Sequence, residues 1–501
     1  MSKSKRNLNE AVEQIAEEAE NLGNKAATAI KEGLKIKESL TATFTELRSN
    51  PSERRQVQEE LTALVQSQKD FFAQGETAAP EWRINQLKKL YDSLKRHEED
   101  IYTALHDDLL KSPFESYTSE IGLIFSEITN QIKHLKKWSK PKKISLGIVS
   151  FPAKGRIYPQ PRGTVLIMSP WNYPIQLSLC PLIAAIAAGN TVVLKTSEYS
   201  TASTRVLSQI LSDSFDPNFV ALVEGGYQQN QALLHIQFDF IFFTGSQNVG
   251  KIVMESAAKF LTPVCLELGG KSPCIIEADA NIKLAARRIV WGKLLNAGQT
   301  CVAPDYFLVS SSIKEPLLVA IQEEIKKQYG ENPLENEDFP KIINKKHFNR
   351  LIAMAPEAVN NVESNKIAPT IIDLGNLGSE KVNRHPSMKE EIFGPLFPII
   401  SYENIDEALN FIRSKQCPLA LYIFTENKDT ASKVINSVKY GGGCVNDVVM
   451  HLVSHNLPFG GCGESGMGSY HGKAGFDTFT HYKSVLVQNS KFDSNVRFAP
   501  H

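Results

Sequence analysis

Residues 163–195 read Gly163-Thr-Val-Leu-Ile-Met168-Ser-Pro-Trp-Asn172-Tyr-Pro174-Ile-Gln-Leu177-Ser-Leu-Cys-Pro-Leu-Ile-Ala-Ala-Ile-Ala-Ala188-Gly-Asn190-Thr-Val-Val-Leu-Lys195, and this stretch decides the fold. Gly163 to Met168 is a short continuous apolar run, the pattern of a strand buried on both faces. Leu177 to Ala188 is apolar all round, as a fully buried helix must be. Asn190 to Lys195 returns to β-branched residues. Strand, helix and strand in so short a span form a βαβ unit, whose two strands lie parallel.

The alternation continues outward. Phe219 to Val223 and Asp239 to Phe243 are two further strands, so the expectation is an α/β fold with a doubly wound, Rossmann-like sheet. A second α/β stretch begins near Gly269, with Ser272 to Ile276, Phe307 to Val309, Ile399 and Ile400, and Leu419 to Thr425 as strands. Glu331 to Phe339 reads as a polar loop. Upstream, residues 63 to 140 carry Lys, Glu and Leu at helical spacing. Ile144 to Phe151 and Gly155 to Pro159 are β-like and flank Pro152-Ala153-Lys154, which predicts a hairpin. Residues 1 to 62 form a helical N-terminal extension, with Ala11, Val12, Ile15, Ala16, Ala19 and Leu22 on one face and a break at Asn50-Pro51-Ser52.

Composition narrows the class. The chain has 501 residues, 42% hydrophobic and 22% charged, with formal net charge +0. No global field favours nucleic acid or an acidic membrane. Seven cysteines without regular spacing argue against a disulfide framework and for a reducing, cytoplasmic setting. The N-terminus MSKSKRNLNE has no apolar core of a secretory signal. Leu177 to Ala188 is too short to span a bilayer. His451 and His455 stand four apart, but no Glu lies between them as in H-E-x-x-H and Asn456-Leu457-Pro458 breaks any helix, so no metal site is expected. The Lys133–Lys143 basic cluster has only Trp138 interleaved, too little for base stacking.

Three residues carry the chemistry. Cys301 ends Gly298-Gln-Thr-Cys301, Glu267 opens Glu267-Leu-Gly-Gly-Lys271, and Asn172 lies in Trp171-Asn-Tyr-Pro174. A thiolate attacks a carbonyl. A carboxylate in an apolar run tends to a raised pKa and suits proton transfer near neutrality, unless it pairs with Lys271. An amide and a backbone N–H can hold an oxyanion. A phosphate site is suggested where the strand ending at Phe243 runs into Thr244-Gly245-Ser246-Gln247-Asn248-Val249-Gly250 and a helix. Glu198, just past the strand that ends at Lys195, is placed to accept from a ribose.

These motifs, in this order, resemble the aldehyde dehydrogenase superfamily, most closely its class 3 (fatty or aromatic aldehyde) branch. The likeness extends over roughly residues 64 to 490 and includes Leu194-Lys-Thr-Ser-Glu198, Phe243-Thr-Gly-Ser246, Glu390-Glu-Ile-Phe-Gly-Pro395, Pro458-Phe-Gly-Gly461 and Gly466-Met-Gly-Ser-Tyr-His-Gly472. The resemblance implies NAD(P)-dependent oxidation of aliphatic or aromatic aldehydes to carboxylic acids. Cys301 would be the nucleophile, forming a thiohemiacetal and then a thioester, with Glu267 activating the deacylating water. Asn172 and the Cys301 N–H would form the oxyanion hole. Lys195 and Glu198 would meet the adenosine ribose, Gly245, Ser246 and Gly250 the pyrophosphate, and Glu391 and Phe393 the nicotinamide end. NAD is the implied cofactor, with NADP possible. A nucleotide-binding domain (63–142 and 163–268), a catalytic domain (269–455) and an oligomerisation arm with C-terminal segment (143–162 and 456–501) would make up a homodimer with no integral membrane segment. The first 62 residues are extra to that pattern, residues 353 to 366 lack a Gly-Gly turn, and no hydrophobic C-terminal anchor is present. A CoA-acylating dehydrogenase would not need Glu267, and a non-catalytic scaffold would not keep the trio intact.

Overall fold

The computed structural model describes residues 51–491 and residue 499. The helical reading of residues 1–50 therefore lies outside the described residues. Contacts divide the chain into a unit of residues 1–60 and a unit of residues 61–501. In the first unit the described residues are the opening turns of a helix, Pro51–Ala73, pinned by an Arg55–Glu59 pair at 2.8 Å.

In the second unit, strand β1 (Lys142–Ile144) pairs antiparallel with β2 (Lys154–Pro161). The expected hairpin forms, but its first strand stops at Ile144. Residues 148–150 make a 3₁₀ turn instead, leaving Ile148, Val149 and Phe151 exposed. Apolar, β-branched residues gave the strand reading, yet with no partner strand opposite them their propensity has nothing to pack on.

Next come β3 (Thr164–Met168), β4 (Thr191–Lys195), β5 (Val220–Val223), β6 (Phe240–Gly245) and β7 (Val264–Leu268). All five are parallel, in the order β7-β6-β3-β4-β5. Between β3 and β4, the helix Gln176–Ala188 has every residue buried. It sits in the main apolar core, as its unbroken apolar sequence requires. The chain leaves β3 toward β4 on one side and returns on the other as β6. That reversal opens a crevice beyond the carboxyl ends of β3 and β6.

A second parallel sheet holds β8 (Pro273–Ile276), β9 (Tyr306–Ser310), β12 (Thr370–Asn376), β13 (Leu396–Tyr402), β14 (Ala420–Phe424) and β15 (Gly442–Val445), ordered β12-β13-β9-β8-β14-β15. A small hairpin of β10 (Asn360–Asn361) and β11 (Lys366–Ile367) occupies the 353–366 region. Strand β16 (Gly466–Met467) adds antiparallel to β7, with Gly466 opposite Glu267. Strand β17 (Thr480–Val487) completes the β1-β2 sheet.

Candidate active site

A cavity of about 650 Å³ opens at the crevice. Asn172 from the turn after β3, Gly245 at the end of β6, Ser246 just after it, Glu267 from β7, Cys301, Glu391 and Phe393 all line it. Seven of the ten residues singled out from sequence thus meet at one cleft. Lys195, Glu198 and Gly250 are not among its walls.

The Cys301 loop is rigidly built. The chain before it turns through Asn296 (φ 52), Ala297 (φ 51) and Gly298 (φ 78). A Cβ on Gly298 would stand 2.4 Å from the Gly394 carbonyl, so only glycine fits. Gln299 locks the turn. Its amide donates to the carbonyls of Asn296 (3.1 Å) and Lys341 (3.0 Å), and its oxygen accepts from the Ile343 N–H at 3.0 Å. The Asn172 side-chain N–H donates to the Gln299 carbonyl at 3.0 Å, which brings the amide to the nucleophile loop and leaves its second N–H for another acceptor. Tyr173 O–H and the Thr300 hydroxyl meet at 2.6 Å.

Beneath the Trp171-Asn-Tyr-Pro174 turn lies a network with no sequence signal. Lys111 and Glu120, both fully buried, pair at 2.6 Å. Lys111 also donates to the Asn172 carbonyl at 3.2 Å and lies 3.9 Å from the centre of the Tyr173 ring. Glu120 accepts from the N–H groups of Ile175 (2.9 Å) and Gln176 (3.1 Å), where the buried helix begins. Free N–H groups at a helix start favour a negative partner. The Asn296 side chain adds a bond to the Asn172 carbonyl at 2.7 Å.

Electrostatics at the site follow from burial. Both carboxylate oxygens of Glu267 are buried without a partner, and burial pushes its pKa well above the usual range. The alternative of a Glu267–Lys271 pair does not form: Lys271 pairs with Asp305 and donates to the carbonyls of Ser387 (2.6 Å) and Glu390 (3.0 Å). Asp305 in turn accepts from the Ile392 N–H at 2.8 Å, and Arg350 donates to the carbonyls of Glu391 (3.1 Å) and Ile392 (2.6 Å). These bonds hold the segment bearing Glu391 and Phe393. Burial, with Asp305 nearby, lifts Glu391 to about 8. Burial, then Glu391 and Glu267, pushes the Cys301 thiol up to about 12.

One more cavity residue had no motif to announce it. His347, depressed to about 4 chiefly by burial, packs on Trp171 at 5.1 Å, and Trp171 meets Phe393 edge-on at 5.5 Å. The only local cue was Asn344, whose side chain accepts from the His347 N–H at 3.0 Å and so starts its helix.

At the opposite rim, Ser246 caps the helix Gln247–Ala258 by accepting from the Val249 N–H at 3.4 Å. The adjacent Thr244 hydroxyl is buried and unpartnered. A capped helix start with an unpartnered hydroxyl in the same turn can hold a phosphate. Gly250 faces inward instead: a Cβ there would meet Leu268 at 2.6 Å, so its smallness serves close packing of helix on strand. Lys195 donates to the carbonyls of Thr196 and Gly225, and burial lowers it to about 8. Glu198 is exposed one turn beyond.

Known proteins resemble the chain over most of its length. The profile of the Aldehyde dehydrogenase family matches residues 52–485. The 4,4'-diaponeurosporen-aldehyde dehydrogenase of Staphylococcus aureus is 44% identical over 441 residues, spanning 86% of this chain and 95% of that protein. Aldehyde dehydrogenase family 3 member H1 of Arabidopsis thaliana is 44% identical over 453 residues, spanning 88% and 92%. A solved structure of the substrate-bound state of Staphylococcus aureus AldH superposes with a TM-score of 0.84 at 43% identity, covering 88% of this chain and 96% of that one. With the profile and these relatives all extending over most of its length, the chain belongs to the aldehyde dehydrogenase family.

Proposed function

We propose that the protein oxidises aliphatic or aromatic aldehydes to carboxylic acids, with Cys301 as nucleophile and NAD, or NADP, as electron acceptor. The observation that carries this reading is the meeting of a thiol, an unpartnered buried carboxylate and an amide in one cleft. The capped turn after β6 suits a dinucleotide's phosphates, and Glu391 and Phe393, in the same cavity, are proposed to position its reactive ring. A bound nicotinamide supplies the two-electron acceptor for the aldehyde hydrogen.

The chain's own residues supply the rest. Cys301 adds to the aldehyde carbon to give a thiohemiacetal, while the free Asn172 N–H and the Cys301 backbone N–H donate to the developing oxyanion, each such donor contributing about 3–4 kcal/mol. The thiol is too weakly acidic to ionise unaided, so its proton must pass to a base. Glu267 is the candidate, because a desolvated carboxylate is a strong base once ionised. After oxidation the acyl group is a Cys301 thioester; Glu267, once it has passed the thiol proton to solvent, takes a proton from the water that releases the acid, and the departing Cys301 sulfur recovers a proton.

Lys195 and Glu198, at the end of β4, are proposed to reach the adenosine ribose, and Gly250 to shape the turn that receives the pyrophosphate. Residues 163–268 would then be the core of the nucleotide half and 269–455 the catalytic half. The β1-β2-β17 sheet would be the arm through which a homodimer forms. Among the described residues no helix is long and apolar enough to cross a membrane. Formation of NADH from benzaldehyde and medium-chain aldehydes, compared for the parent and Cys301→Ala, tests the reading. Equal rates in the two proteins would refute it.

A further inference from the structure

All seven cysteines are unbridged, but two of them lie against each other. The Sγ atoms of Cys417 and Cys462 are 2.6 Å apart, well inside van der Waals contact for two sulfurs. Neither is a wall of the cavity, although Gln416 and Leu419, on either side of Cys417, are. Both are partly exposed, so a small reagent can reach them.

Each is held from its own side. The Cys462 N–H donates to the Ser465 hydroxyl at 2.9 Å, and that hydroxyl donates back to the Cys462 carbonyl at 3.0 Å. A Cβ on Gly461 would stand 2.1 Å from the Ser465 carbonyl, so this turn has little freedom. The Cys417 N–H donates to Glu464 at 3.3 Å and its thiol to the Lys439 carbonyl at 3.3 Å. Pre-positioning of two thiols removes most of the cost of closing the intervening loop.

We propose that Cys417 and Cys462 are a modification site, a thiol pair that closes to a disulfide by exchange with a small-molecule disulfide of the glutathione class. Burial, with Cys462 beside it, pushes the Cys417 thiol up to about 12 and makes it the poorer first nucleophile, so Cys462, once deprotonated, attacks first. That thiolate attacks one sulfur of the reagent. The reagent's S–S bond breaks, a mixed disulfide forms on Cys462, and the departing thiolate takes up the proton Cys462 released. Cys417 then attacks the Cys462 sulfur and expels the second reagent thiol, which carries away the Cys417 proton. The protein loses two electrons and two protons, and the reagent gains both as two thiols.

The bridge joins two parts of the site. Cys417 precedes β14 of the second sheet, and Cys462 precedes β16, the strand beside Glu267 in the first. Oxidation therefore ties the two sheets together at the rim of the cleft.

The test uses the full chain in a Cys301→Ala background, so that the proposed nucleophile does not enter the count. It is equilibrated across ratios of oxidised to reduced glutathione, acid-quenched, alkylated and digested for mass spectrometry. The expected result is one cross-linked species joining the Cys417 and Cys462 peptides, reversed by dithiothreitol. Cys417→Ser should instead accumulate a glutathione adduct on Cys462. The proposal fails if both thiols stay alkylatable in oxidised glutathione alone, if the parent chain stops at a stable adduct, or if the bridge joins other cysteines. The cross-link in the parent chain is read independently of whether the serine variant folds.

Discussion

Lys111→Met is the most informative single change. It removes the ammonium that faces Glu120 at 2.6 Å, together with a bond to the Asn172 carbonyl and the contact with Tyr173. Glu120 stays buried, held only by the two backbone N–H groups at the helix start. Removing one partner of a buried ion pair costs about 3–5 kcal/mol. Those two N–H bonds and the helix dipole offset about 1–2 kcal/mol of it, leaving a loss of about 1–4 kcal/mol. Adding Glu120→Gln removes the stranded charge while keeping an oxygen for the same N–H groups. The double variant should therefore be more stable than Lys111→Met alone, with a coupling on the order of 2 kcal/mol. Turnover in the single variant should fall by about 10²-fold, because the Asn172 turn loses one of its two carbonyl anchors. Urea midpoints and NADH formation for the parent, both singles and the double measure the cycle. A Lys111→Met protein as stable as the parent, or a double variant no better than that single, would refute the reasoning.

Glu267→Gln should lower steady-state turnover by about 10²–10⁴-fold and suppress the first-turnover formation of NADH as well, since the same carboxylate serves the attack of Cys301 and the later deacylation. Gly298→Ala sets a Cβ against the Gly394 backbone at a φ of 78, and should cut activity by about 10²-fold or more with Cys301 still present and titratable. His451 and His471 are each lowered from 6.5 to about 4, mainly by burial. Folded pKa values below the unfolded ones mean that the unfolded chain binds protons first. Stability should thus fall as pH drops from about 6.5 to about 4, on the order of 3 kcal/mol per histidine. Urea midpoints across that range should flatten in His471→Phe, and an unchanged slope would contradict the assignment.

The βαβ core was legible because its information is local. The strand at 164–168, the helix at 176–188 and the strand at 191–195 each announce themselves by apolar period, within a residue or so of the structure. The Cys301 loop was legible for a related reason, since a glycine beside a thiol marks a tight turn with room for a substrate. Lys111 and Glu120 were not, because a buried charge in a helical stretch looks like any surface Lys or Glu until a partner distant in sequence folds over it. Strand β12 escaped notice with Gly375 and Asn376 in it, both poor strand formers kept there by β13. The exposed Ile148, Val149 and Phe151 erred the other way, as strand-like sequence without a neighbouring strand.

The pairing of β16 with β7 and of β17 with β2 has a consequence for biosynthesis. On the ribosome, β2 and β7 emerge long before the segments that cover them. Each waits as a bare sheet edge, a template for wrong partners, while the long intervening segment is made. The closing contacts span most of the chain, as in the bond from Arg162 to the Thr478 carbonyl across 316 positions. Such long-range closure is slow, and the backbone beside Glu267 is fixed only when residue 466 arrives. A nascent chain stopped before that point would carry Cys301 and Glu267 yet lack a finished cleft, so chaperone protection should matter most for the late stages of its synthesis.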